Sequence, residues 1–167
     1  MNNTIKESFA LYNKRWALVT AGGKDDYNTM TISWGGLGTL WNRNVATVYI
    51  RPDRYTYRFM NENERFSVSF FPEQYREDLM LLGTLSGRDG DKIARTKLTP
   101  KEVAPGVMGF EQAAVTLVCR KIFWQDMEKA NMDAAIAGKI YAAAPVHRLF
   151  IGEVERTFPG DKRETAI

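Results

Sequence analysis

The sequence holds one cysteine, one histidine and little net charge. Each scarcity excludes something. With Cys119 alone, no disulfide framework can form within the chain, which points to a reducing, cytoplasmic setting. With His147 alone, multi-histidine metal sites are excluded and no metal is expected. A Ser-His-Asp hydrolase also has little support, because no nucleophile motif accompanies that histidine. The formal charge of +3, from 23 basic and 20 acidic residues, is too small to indicate a nucleic-acid or membrane binder. No apolar stretch reaches the length of a membrane span. The N-terminal run MNNTIKESFALYNKRWALV has no long apolar segment after its basic residues, so no signal peptide is expected. A Walker A sequence is also missing.

What is present reads as one domain over residues 1–167, mainly β with short helices. Strands are expected at Trp16–Thr20, Thr29–Trp34, Val45–Ile50, Phe66–Phe71, Ala113–Trp124 and His147–Phe158. The Phe66 strand alternates, with Phe66, Val68 and Phe70 on one face and Ser67 and Ser69 on the other. A helix is expected over Arg54–Asn61 with Asp53 as its N-cap. A second opens after Pro72, shows Tyr75, Leu79 and Leu82 as its apolar stripe, and stops at Gly83. A third runs from Asp91 to Lys97, and Met127–Ala144 reads as a loop over the site or at an interface. About six strands with short helices favour a closed or partly closed barrel over a doubly wound sheet.

Asn28–Tyr57 is the most informative stretch. It joins a polar extended segment, a glycine patch and the tetrapeptide Arg51-Pro52-Asp53-Arg54. Hydrogen-bonding groups, slim backbone and paired guanidinium groups suit a flat polar ligand carrying a phosphate. Arg51 and Arg54 flank a helix start, which is itself predisposed to hold phosphate, although a surface salt bridge explains two arginines equally well. A second anion-friendly turn is Ser86-Gly87-Arg88-Asp89-Gly90-Asp91-Lys92. Its plainer reading is a turn residue, a cap and solvated charges. Gly35, Gly36 and Gly38 open no helix, so they are not a dinucleotide fingerprint; they let the chain bend between two strands.

The order of four segments resembles the flavin reductase-like family, the FMN-binding split β-barrel proteins that include flavoredoxins. The segments are Asn28–Trp34, Tyr49–Thr56, Ser86–Asp89 and His147–Val154, and the resemblance covers about residues 10 to 157. It implies an FMN cofactor. Asn28, Thr29, Met30, Thr31, Ile32, Ser33 and Trp34 would lie along the isoalloxazine edge and ribityl chain. Ile50, Arg51, Arg54, Tyr55 and Thr56 would hold the phosphate, with Ser86, Gly87, Arg88 and Asp89 adding contacts. A homodimer with sites near the subunit interface is implied as well.

Two functions follow from that resemblance. One is an oxidoreductase passing electrons from NAD(P)H to FMN and on to an acceptor; the other is an FMN-binding electron carrier with little nicotinamide activity. Flavin chemistry obliges no general acid or base, so no catalytic side chain is nominated. A small barrel binding single-stranded nucleic acid is a weaker reading, suggested only by aromatic content and a pI of about 9.0. His147 reads as a structural hydrogen-bonder, with a place in the flavin or nicotinamide pocket as the alternative. Cys119 reads as a buried core thiol. Trp34, Trp41 and Trp124 would cover a flavin face or pack against protein, and only Trp34 belongs to a matching segment.

Overall fold

A computed structural model describes residues 3–160, so both ends of the domain expected over 1–167 lie outside the described residues. Among the described residues nine strands form two sheets. The strands are β1 Ala17–Gly23, β2 Asp26–Ile32, β3 Gly35–Leu40, β4 Arg43–Ile50, β5 Arg65–Phe70, β6 Pro100–Ala104, β7 Val107–Phe110, β8 Val115–Asp126 and β9 Arg148–Pro159. Seven of them build the main sheet in the order β2-β1-β5-β8-β9-β4-β3, and every pairing within it is antiparallel. The hairpin β6-β7 stands apart.

The connection from β2 to β3 curls this sheet. These strands lie at opposite edges of the order, yet only Ser33 and Trp34 separate them. In a flat sheet of seven strands the edges would stand roughly 29 Å apart. The three peptide links from Ile32 to Gly35 reach at most roughly 11 Å. The sheet therefore closes on itself while β2 and β3 stay unpaired, which is the split barrel expected from the sequence.

The side chains follow from this closure. Ala17, Val19 and Ala21 of β1 alternate into the barrel, where they meet Phe66, Val68 and Phe70 of β5, Val48 and Ile50 of β4, and Phe150 of β9. Outside the barrel a second cluster packs Leu18 and Phe71 against Leu79 and Leu82 of helix α3, Arg76–Thr84. The serine face of β5 is as buried as its apolar face. Ser67 Oγ donates to Met108 O at 2.6 Å, and Ser69 Oγ lies 3.0 Å from Thr116 Oγ1, so burial leaves neither hydroxyl unsatisfied.

Several sequence expectations need correction. Helix α2 is Thr56–Glu62 rather than Arg54–Asn61, and its N-cap residue is Tyr55 with no side-chain cap. The Asp53 carboxylate faces Arg51 Nε at 3.2 Å instead, because a guanidinium within reach outcompetes the backbone donors. Gly83 does not end α3, which runs through Thr84 and closes on Leu85. The Asp91–Lys97 segment forms only a 3-10 turn at Ile93–Arg95, with Asp91 Oδ1 accepting from Ile93 N and Ala94 N. The glycine patch is a strand, β3, and not a simple bend. Its two-residue turn to β4 places Trp41 and Asn42 at positive φ, the twist that tight hairpins require. Helix α1, Asn3–Asn13, and the β6-β7 hairpin had no sequence-level expectation.

Gly152 marks a close approach between β9 and the strands β5 and β8. A Cβ there would sit 2.6 Å from Phe66 Cζ and 2.7 Å from Cys119 Cβ. Gly152→Ala should therefore lower stability by about 1–3 kcal/mol, read as a reduced urea midpoint with an unchanged slope.

Candidate functional site

Two adjoining cavities gather most of the residues singled out in the sequence. The first, of about 280 Å³, opens at the seam where β2 passes into β3. Met30, Thr31, Ile32, Ser33 and Trp34 line one side, and Tyr49, Arg51 and Arg54 come from β4 and the turn after it. The remaining wall is Ile140, Tyr141 and His147. The second, of about 100 Å³, is lined by Asn28, Met30, Tyr55 and Thr56, by Asp53 and Arg54, and by Thr84 to Arg88 together with Lys92. Met30 and Arg54 belong to both and so mark the junction.

Local chemistry fixes these walls. Asn28 Nδ2 donates to Thr56 Oγ1 at 2.7 Å, tying β2 to the start of α2. Thr31 Oγ1 donates to Leu79 O and holds β2 against α3. Arg54 donates to Gly83 O, so its guanidinium is braced on the end of α3. Arg88 donates to Asp53 O at 3.1 Å and stacks over the Tyr55 ring at 5.1 Å. The Ser86–Asp89 turn is closed by Asp89 N donating to Ser86 O and by Arg88 N donating to Ser86 Oγ. Gly87 is obligatory here, since a Cβ would fall 2.3 Å from Asn28 Oδ1.

Lys92 is the least expected member. Its side chain is 95% withdrawn from water, at 5% exposure, and its Nζ donates to Leu82 O at 2.9 Å and Leu85 O at 3.0 Å. These are carbonyls at the C-terminal end of α3, where a cation is favoured. Burial first, then the neighbouring Arg54 charge, pushes its pKa down to about 8. Arg54, Arg88 and Lys92 thus converge on the second cavity against the single carboxylate of Asp53. The arginine pair expected from the sequence is divided: Arg51 faces the first cavity and Arg54 the junction.

Three other singled-out residues line neither cavity. Thr29 is buried with its hydroxyl on Val19 O and Thr20 Oγ1, and Ile50 points into the barrel core. Asp89 lines an adjoining hollow with Asp91 and Arg95, which shares Leu85, Ser86 and Lys92 with the second cavity. Among the tryptophans only Trp34 reaches the first cavity, its ring centroid 5.1 Å from that of His147. Trp41 packs edge-on to Phe123, and Trp124 lies under the Arg148 guanidinium at 4.0 Å.

The residues missed in the sequence come from distant elements. Met127–Ala144 is not a plain loop: it carries helix α4, Ala134–Ile140, capped by Asp133 Oδ1 accepting from Ala135 N and Ile136 N. Its excursion is closed at the base by Met127 N donating to His147 O at 3.0 Å, which brings Ile140 and Tyr141 over the first cavity. His147 lines this cavity, and its Nδ1 lies 2.8 Å from Tyr141 Oη, a structural hydrogen bond. The Asp133 cap signal could have located α4, whereas nothing local to Tyr49 or Tyr141 marks either as a lining residue.

A family model described as flavin reductase like domain matches residues 9–166. No curated protein matches the chain at a meaningful level of similarity. Solved structures with the same fold include a flavoredoxin from Methanosarcina acetivorans, at 20% identity over 89% of this chain and 69% of that one, TM-score 0.66. An FMN-binding protein from Thermus thermophilus with bound 1-cyclohex-2-enone is similar at 21% identity, over 93% and 78%, TM-score 0.67. The styrene monooxygenase flavin reductase from Pseudomonas putida S12 is similar at 16% identity, over 96% and 88%, TM-score 0.67.

His147 generates a pH prediction. Burial first, and the Arg51 guanidinium second, push its pKa down to about 4 against the opposing pull of Asp53. The unfolded chain takes up this proton near 6.5, before the folded chain does. Stability is therefore whole above about 6.5 and is lost as pH falls towards about 4. His147→Gln should flatten that acid loss in urea unfolding measured across the same window.

Proposed function

The chain belongs to the flavin reductase-like domain family, and we propose that it binds FMN across the two cavities as an NAD(P)H-dependent flavin oxidoreductase. The observation that carries this reading is the junction at Met30 and Arg54. There a slot walled by Trp34, Tyr49, Tyr141 and His147 runs into a pocket edged by three cationic side chains. The donor set fits an aromatic heterocycle continued by a phosphate. Arg54 and Arg88 offer guanidinium N–H groups, Lys92 adds a fixed positive charge, and Gly87 keeps the turn backbone close to Asn28.

When bound, FMN supplies the hydride and electron chemistry. The chain's part is to hold and to tune. The segment from Met30 to Trp34, the end of β2 and its link to β3, lines one edge of the slot, and Met30 adds a soft contact at the junction. His147 stays uncharged at neutral pH, so it presents a hydrogen-bonding ring nitrogen without a second positive charge beside Arg51. Its bond to Tyr141 braces the wall carried by the α4 excursion. No side chain is assigned a proton-transfer step. We further read the protein as a single domain that works as a cytoplasmic homodimer, in keeping with the one buried thiol of Cys119.

The purified protein should take up FMN with a change in flavin absorption and fluorescence, and should then consume NADH or NADPH. FMN uptake without nicotinamide oxidation would reduce the role to electron carriage, and no spectral response to FMN would end the flavin reading. Replacing both Arg54 and Arg88 with alanine should weaken FMN roughly tenfold to a hundredfold, from the loss of charge-assisted hydrogen bonds. Riboflavin, which lacks the phosphate, should lose much less affinity. Equal losses for the two flavins would place the phosphate elsewhere.

A further inference from the structure

The cations of the second cavity differ from those elsewhere in the chain. Among the described residues, Arg43, Arg51, Arg58, Arg65, Arg120 and Arg148 each pair with a carboxylate. Arg54, Arg88 and Lys92 form no such pair there; their hydrogen bonds run to backbone carbonyls. Arg88 is exposed and Arg54 half-buried, whereas Lys92 is buried. A buried ammonium with no counter-ion, beside a second cation, holds its proton less firmly than one in water. Burial first and Arg54 second thus hold the Lys92 amine at about 8.

The carboxylates nearby answer other groups. Asp53 faces Arg51, Asp26 faces Arg58, and Asp91 Oδ1 accepts from Ile93 N and Ala94 N. Asp25 and Tyr27 share a cavity with Lys92 from the β1–β2 hairpin, and Asp89 and Arg95 share the hollow beside the Ser86 turn. Of these charges, Arg54 acts most on the amine. The charge on Lys92 can also leave without moving the pocket. An uncharged amine keeps two N–H groups, enough for Leu82 O and Leu85 O. The turn then stays pinned to the end of α3.

We propose that Lys92 couples phosphate binding in the second cavity to the uptake of one proton by its amine, so that the pocket grips a phosphate monoester near neutral pH and releases it in alkali. Only the identity of that monoester rests on the flavin reading. A phosphate ester is a dianion above a pH of about 6, so its own charge is constant across the alkaline window. A dianion beside the amine raises the pKa of that amine. Between the free and the bound value, each binding event draws a proton from the buffer. Affinity falls there as pH rises, by up to about tenfold per pH unit. Guanidinium groups keep their charge in proteins, so the change belongs to the amine.

Calorimetry of the full chain with FMN, in buffers of low and high ionisation enthalpy, counts the protons. Uptake should be near zero at about pH 7 and more than about half a proton at about pH 9, with FMN bound about fivefold to tenfold more weakly at the higher pH. Riboflavin has the same ring and no phosphate, so it should take up none and hold its affinity. Lys92→Met should weaken FMN and abolish the uptake while riboflavin binding persists. The count is made on wild-type protein, so it decides the matter even where the variant does not fold. Bound FMN with no proton taken up at the higher pH, equal uptake with riboflavin, or uptake that persists in folded Lys92→Met would overturn the proposal. Inorganic phosphate, titrated without flavin, separates the two readings. Proton-coupled phosphate binding without FMN uptake sinks the flavin reading alone, and FMN uptake without a proton sinks this inference alone.

Discussion

Ser33 and Trp34 carry the chain from one edge of a seven-stranded sheet to the other, and so short a link leaves the sheet no choice but to curl. The closure is incomplete, because β2 and β3 stay unpaired, and the first cavity opens along that seam. The link therefore does two things at once. It sets the barrel that buries Phe66, Val68 and Phe150, and it supplies two residues of the site wall. Fold and site share one covalent constraint, which is why the polar β2 segment lines a cavity instead of an open sheet edge.

Electrostatics divide the site that this geometry creates. The chain as a whole is nearly balanced, at +3, yet Arg54, Arg88 and Lys92 meet at one pocket. None of the three stands free of the scaffold. Arg54 and Lys92 are bound to carbonyls at the end of α3, and Arg88 to the carbonyl of Asp53. Such tethering fixes cations before any anion arrives and so lowers the ordering cost of binding. The opposite end of the site is aromatic and carries a neutral histidine. A further cavity under α1, which shares Ser33, Trp34 and Tyr49 with the first, has no charged lining among the described residues, so charge falls away stepwise along the seam.

Much of this was legible in the sequence wherever side-chain pattern and backbone agree. The alternating Phe66 run and the β-branched Val45–Ile50 run are strands within a residue or two of where the pattern puts them, and the polar Thr29–Trp34 run is a strand that starts three residues earlier, at Asp26, and ends at Ile32. The glycine-rich β3 was not legible, because its pairing with β4 comes from backbone bonds that three glycines do not advertise. Its turn uses Trp41 and Asn42 at positive φ, an unusual choice that hides the hairpin. Helix α2 starts late because Asp53 answers Arg51 rather than the helix, a competition between two donors that spacing cannot decide. In the site, the contiguous segments were visible, but Tyr49, Tyr141 and the burial of Lys92 depend on elements far apart in sequence.

The central claim is that one flavin nucleotide spans both cavities, ring at the seam and phosphate at the Ser86–Arg88 turn. A crystal structure of the protein grown with FMN tests it most directly. Ring density is expected between the Met30–Trp34 segment and the Tyr141–His147 wall, with phosphate density beside Arg54, Arg88 and the Gly87 backbone. Phosphate density outside that pocket, or a ring seated away from the β2–β3 seam, would contradict it.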